Sequence, residues 1–144
     1  MIPEYENILS SIKPPLADVG FCLIDNLDFL AEFETTDGWK IKFEGERYYR
    51  PLIEISITPP EEDDGYSVRI LMECFWEVKG GKSNPATAVN QANFVKEHLR
   101  GWISRKENYE IYYKKNERNY WRIVTYIATE EHSKKQYKGD CHLY

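Results

Sequence analysis

The sequence predicts an α+β domain: an antiparallel sheet of about six strands, with an N-terminal helix and one long helix (about 84–105) packed on it. Three observations point to this class. Apolar residues recur at helical spacing near the start of the chain and again after Pro85, they alternate with polar residues in the segments between and after these, and the intervening connections are short. The chain has 144 residues, of which 42% are hydrophobic and 15% aromatic. That is enough for one core and too little for two, so residues 1–144 read as a single domain.

Tyr5, Ile8, Leu9 and Ile12 fall at i, i+3, i+4 and i+7, and Pro14 with Pro15 is expected to end that helix. Residues 16–27 are apolar without a clean period and read as either strand or turn. From Asp28 the period becomes two. Phe29, Ala31 and Phe33 alternate with Glu32 and Glu34; beyond Asp37-Gly38, Trp39, Ile41 and Phe43 alternate with Lys40 and Lys42. A three-residue loop with Gly38 in the left-handed region sets Phe33 opposite Ile41 and Ala31 opposite Phe43. It also pairs Glu34 with Lys40 and Glu32 with Lys42 on the other face, each pair contributing about 0.2–1 kcal/mol.

Residues 47–58 and 66–78 read as a second, longer hairpin around a Pro59–Gly65 loop, with Ile53, Ile55 and Ile57 on one face of its first arm. Setting Ile57 opposite Tyr66 and Ile55 opposite Val68 also matches Glu54 with Arg69 and Arg50 with Glu73. The same register brings Leu52 to Leu71 and Tyr48 to Phe75. Pro51, lacking an N–H, belongs at an edge, bulge or strand end. Asn84 as N-cap and Pro85 at the first helical position then start the long helix, with Ala88, Ala92, Val95, Leu99, Trp102 and Ile103 on its buried stripe. Tyr109 to Tyr113 and Tyr120 to Ala128 read as a last hairpin, and residues 130–144 as a polar, partly ordered tail.

The net charge of −5 weighs against a surface built to grip nucleic acid. Its distribution is more informative. Residues 1–79 hold 17 acidic and 7 basic side chains, while residues 80–144 hold 7 and 12, a polarity that points to a charged partner. No stretch approaches the roughly 18 apolar residues of a membrane span, and MIPEYENILSSIKPP lacks the basic start and apolar run of a signal peptide, so a cytoplasmic protein is expected. Cys22, Cys74 and Cys141 are odd in number and widely spaced, which offers neither a disulfide framework nor a metal knuckle. Cys141 with His142 supplies too few ligands for zinc, so no metal and no cofactor are expected.

No catalytic signature stands out. His98, His132 and His142 lie beside no nucleophile motif, and Gly80-Gly81-Lys82-Ser83 lacks the upstream spacing of a phosphate loop. The basic, aromatic stretch from Lys114 to Arg122 invites a single-strand nucleic-acid reading, but the acidic remainder and the expected burial of Trp121 weigh against it. The densest uncompensated charge is Glu61, Glu62, Asp63 and Asp64, which lacks the ligand spacing of a calcium loop. Asp37, Glu44 and Glu46 join it as acidic residues near strand ends.

A small acidic α+β domain with these carboxylates and no active-site motif resembles, at the level of class, the immunity proteins of bacterial polymorphic-toxin and contact-dependent growth-inhibition systems. The resemblance implies a non-enzymatic protein, monomeric or weakly dimeric, that binds a cognate toxin domain, commonly a basic nuclease, and blocks its substrate cleft. Glu61, Glu62, Asp63, Asp64, Asp37, Glu44 and Glu46 are then the candidate contacts. The alternatives are a small hydrolase or ligand-binding domain with a pocket between sheet and helix, and a non-catalytic adaptor or structural protein.

Overall fold

The alternating segments build one antiparallel sheet whose strands follow chain order: β1 (Cys22–Asn26), β2 (Leu30–Glu34), β3 (Lys40–Gly45), β4 (Ile53–Thr58) and β5 (Tyr66–Ser67). The computed structural model describes the backbone of residues 1–115 and side chains as far as Tyr112. Among the described residues the sheet thus has five strands rather than six, and the expected arm at 120–128 and tail at 130–144 lie outside them.

The β2–β3 hairpin has the register that its charges and apolar residues specify. Phe33 faces Ile41, Ala31 faces Phe43, Glu34 faces Lys40 and Glu32 faces Lys42. Gly38 adopts φ 101°, a left-handed value open to a residue without Cβ, and the Thr35 N–H meets the Trp39 carbonyl at 2.9 Å to close the loop. Of residues 16–27, which read as either strand or turn, Leu16 and Ala17 finish the N-terminal helix and Cys22–Asn26 form β1. A bulge between Leu23 and Asp25 puts the extra residue, Ile24, on the sheet and keeps Asp25 opposite Glu32.

Ile57 does face Tyr66, but the second arm of that hairpin ends at Ser67 and turns into α2 (Val68–Lys79). Val68, Leu71, Met72 and Phe75 lie at i, i+3, i+4 and i+7 as well as within an alternating pattern, and a run apolar on both sides satisfies either period. Helix wins through its ends and its composition. The Ser67 hydroxyl accepts from the Ile70 N–H at 3.5 Å, Leu, Met, Glu, Arg and Lys favour the interior, and Gly80 closes the helix at φ 81°.

The pairings of Ile55 with Val68, Leu52 with Leu71 and Tyr48 with Phe75 therefore do not form. Glu54 and Arg69 still meet at 2.5 Å, now between β4 and the first turn of α2, with Arg69 only 4% exposed. Arg50 turns instead toward Glu4, at 3.7 Å. Residues 47–51 form a turn containing the cis Arg50–Pro51 peptide, so Pro51 sits ahead of the strand.

The next helix, α3 (Ala88–His98), starts three residues later than Asn84 and Pro85 suggest. Thr87 is its cap, accepting from the Asn90 N–H at 3.2 Å, while Asn90 and Gln91 reach back with their amides to the Pro85 and Ala86 carbonyls, each at 2.8 Å. Those bonds satisfy the loop carbonyls and leave Pro85 outside the helix. A π-helical turn (Leu99–Ile103) carries the stripe onward, and Ala88, Ala92, Val95, Leu99, Trp102 and Ile103 are all buried.

The expected strand at 109–113 is replaced by a short turn (Lys106–Asn108) and α4 (Glu110–Lys115). Tyr109 is buried against Trp102 and Tyr66, with ring centroids 5.7 and 5.1 Å away, and Lys106 pairs with Glu110 one turn on at 3.1 Å, which favours helix.

At the start of the chain, α1 (Pro3–Ala17) runs through Pro14 and Pro15 rather than stopping there. The carbonyls that the prolines leave unbonded belong to exposed Ser10 and Ser11, where water can reach them, while Leu16 extends the buried stripe of Tyr5, Leu9 and Ile12 by one more turn. Gly20, at φ 94°, reverses the chain toward β1.

Helices α1 and α3 pack together, and α1 meets the inner face of the sheet through Tyr5. Its ring contacts Phe29 and Phe43 edge-on, at 6.1 and 6.3 Å, and its hydroxyl donates toward the Glu46 and Leu52 carbonyls at 2.6 and 3.1 Å. A Cβ at position 45 would lie 2.5 Å from Tyr5 Cε2, so only glycine admits the ring there.

Tyr5→Phe is expected to lower stability by about 1–3 kcal/mol, because the part-buried Glu46 carbonyl loses its 2.6 Å donor while the Leu52 carbonyl keeps the Glu46 N–H. Gly45→Ala is expected to cost a similar amount by displacing the ring. Urea denaturation checks both, and midpoints equal to that of the unaltered protein would contradict this account of the joint.

Candidate functional site

The sheet has two unlike faces. Ala31, Phe33, Ile41, Phe43, Ile55 and Ile57 enter the core, whereas Glu32, Glu34, Lys40, Lys42, Glu44, Glu54, Ser56 and Thr58 alternate with them on the opposite face. That opposite face dips into an open concavity of about 240 Å³ between Ile24 at one side and the β4–β5 loop at the other. Glu32, Glu34, Lys40 and Lys42 form its floor, and Thr58, Glu62 and Asp63 contribute from the loop side. Ile24, put there by the bulge, is 55% exposed.

The loop residues divide into two groups. Glu62 is committed: its carboxylate takes Lys106 Nζ at 3.1 Å and the Tyr66 hydroxyl at 3.3 Å, and the same Lys106 reaches Glu110. These two carboxylates raise the Lys106 pKa above its ordinary range. Glu61, at φ 65°, and Asp63 and Asp64 are exposed, and no cation lies within ion-pair distance of them among the described residues. The sequence reading of all four as uncompensated acids is thus corrected at Glu62, whose partners lie in segments that spacing alone does not bring near.

Asp37 is also held. The Thr35 hydroxyl donates to it at 2.6 Å and Arg100 at 2.9 Å, and these bonds, the Thr35 one foremost, keep its carboxyl below the usual aspartate range. Its turn nevertheless borders the acidic loop, since a Cβ at Gly38 would lie 3.2 Å from Pro60 Cβ. Glu44 and Glu46 lie at the other end of β3 and do not join the loop. Glu44 stands opposite Glu54, and Glu46 accepts from the Tyr48 N–H at 3.3 Å while its own carbonyl holds Tyr5.

Glu32 and Glu34, which the hairpin register matches with cross-strand lysines, fall outside the acidic set that the sequence singles out. In the structure Glu34 and Lys40 approach only to 3.9 Å, and Glu32 makes no ion pair among the described residues although Lys42 stands opposite. Both belong to the concavity, and their outward position was readable from the hairpin alternation.

The groups that could carry chemistry are placed otherwise. His98 stacks against Phe75 and Phe94, at 4.2 and 4.9 Å, and burial lowers its pKa. Cys74 lies in the core, with its thiol pushed up to about 12 by burial. Burial likewise raises the Glu73 pKa against the pull of Arg69. Among the described residues no three His, Cys, Asp or Glu side chains converge as metal ligands, and no helix is long and apolar enough to cross a membrane. His132, Cys141, His142 and most of the 114–122 segment lie outside the described residues. Neither family models nor curated proteins nor solved structures give a match to this chain.

The lowered Asp37 pKa has a definite sign. A carboxyl whose folded-state pKa is depressed adds stability above its unfolded value, ordinarily 3.8, and loses it as pH falls through the lower folded value. Asp37→Asn is therefore expected to be less stable than the unaltered protein at neutral pH, with the gap closing below that value. Urea denaturation across pH reads this, and a gap independent of pH would contradict it.

Proposed function

We propose that this chain is an immunity protein: it binds a cognate bacterial toxin domain through the acidic outer face of its sheet and blocks that domain's active site, by binding alone and without chemistry. The toxin would be basic, most simply a nuclease whose cleft is built for phosphates, and the encounter would take place in the cytoplasm. The observation that supports the reading is the meeting of Glu32, Asp63 and the exposed Ile24 at one concavity, on a loop whose Glu61 and Asp64 are also exposed and whose Glu62 is paired with Lys106, while Asp37 nearby is paired with Arg100.

The division of labour is physically coherent. Unpaired exposed carboxylates act at long range and speed encounter with a basic cleft, whereas burial of an apolar residue such as Ile24 contributes once contact is made. The carboxylates already paired with Lys106 and Arg100 fix the two loops, so the face is ordered before a partner arrives and less entropy is lost on binding.

The test uses the purified chain and the toxin domain encoded beside its gene. A stoichiometric complex that abolishes toxin activity is expected, and Asp63→Lys with Asp64→Lys is expected to slow association about 10–100-fold while leaving the melting curve unchanged. A neighbouring toxin that stays fully active, or association indifferent to both reversals, would overturn the reading.

A further inference from the structure

A second concavity, of about 200 Å³, lies between α2 and α3, with Asn84 of the connecting loop also in its lining. Its floor is apolar: Met72 and Phe94 are buried. Trp76 and His98 supply half-buried rings at its sides, the Trp76 ring standing edge-on to Phe75 with centroids 5.3 Å apart. The glycine loop after α2 borders the same tryptophan, since a Cβ on Gly81 would come within 2.8 Å of Trp76 Cζ3.

The polar lining consists of carboxamides and one carboxylate. Asn90 has its amide nitrogen committed to the Pro85 carbonyl at 2.8 Å, which leaves its oxygen as an acceptor. Asn93 makes no hydrogen bond among the described residues, so its donor and acceptor are both available. Glu97 is exposed at the rim, and no lysine or arginine lines the cleft.

We infer that this cleft binds an uncharged adenine nucleoside. A flat heterocycle stacks on Trp76 above the apolar floor, as unpaired bases stack on aromatic side chains. Carboxamides match the adenine edge: the oxygen accepts from the exocyclic amine while the nitrogen donates to N7, and Asn93 offers both. Glu97 accepts from ribose hydroxyls, chemistry that suits a carboxylate and repels a phosphate. Without a cation in the lining, a nucleotide or polynucleotide is disfavoured relative to the nucleoside. This site lies apart from the acidic sheet face, and the inference does not depend on the proposed toxin.

Calorimetric titration of the full chain with adenosine tests it. Saturable binding is expected in the micromolar to millimolar range, with AMP and uridine each weaker. Asn93→Ala is expected to weaken adenosine about tenfold or more at an unchanged melting temperature, the loss of a hydrogen-bonded pair. Asn93→Gln, which keeps the amide, is expected to retain part of the affinity, and a loss as large as that of Asn93→Ala would contradict a reading of the base by the amide. No saturable heat with adenosine, AMP or uridine binding at least as tightly, or an Asn93→Ala variant that binds as before, would each overturn the inference.

Discussion

Tyr5 against Gly45 is the contact on which the arrangement of this fold rests. One helical side chain fills the space that a glycine leaves on β3, and its hydroxyl reaches carbonyls on both sides of the 47–51 turn. The residue is wholly buried, so the end of β3, the start of β4 and helix α1 share a single joint. The Ile2 N–H, bonded to the Asp28 carbonyl at 3.1 Å, anchors the same helix at the entrance to β2. With α1 fixed there and α3 beside it, the apolar side of the strands is closed, and the alternate residues are left pointing outward. The acidic face follows from that closure: it is the side of the sheet the helices do not take.

The parts of the fold that the sequence makes legible are those where two signals agree. In the β2–β3 hairpin, period two, a glycine at the turn and two opposite-charge pairs all select one register, and that register forms. Residues 68–79 are illegible for the converse reason. Their apolar residues satisfy both periods, and the match of Glu54 with Arg69 holds in either arrangement, because a residue in the first turn of a helix that follows an edge strand reaches the same carboxylate. The charge match was therefore real and the element inferred from it was not. Pro14 and Pro15 mislead similarly: a local breaker is outweighed when the next turn carries Leu16 into the core.

For the candidate site, position was legible and charge state was not. The 61–64 run reads as a loop from its flanking proline and glycine, and it is one. What neutralises Glu62 and Asp37 comes from Lys106 and Arg100, beyond α3, and no spacing rule joins positions that far apart. Conversely, Glu32 and Glu34 looked satisfied because each faces a lysine, yet exposed cross-strand pairs cost side-chain entropy to close and one of them stands open. The asymmetry of charge along the chain is thus partly cancelled in space, through pairs linking the acidic first part to the basic second. Of the carboxylates left without an ion pair among the described residues, Glu32 and Asp63 line one concavity.

Under the proposed function, residual negative charge on the outer sheet face guides a basic partner. Its most direct test is the association rate constant with the basic toxin domain proposed as partner, measured by stopped flow over a range of ionic strength. Unpaired exposed charges act over about 10 Å at 0.1 M salt, so the account predicts a rate that falls steeply as salt rises, and a much flatter dependence when Glu32 and Asp63 are both replaced by their amides. A rate insensitive to salt, or a salt dependence that the two replacements leave unaltered, would contradict it.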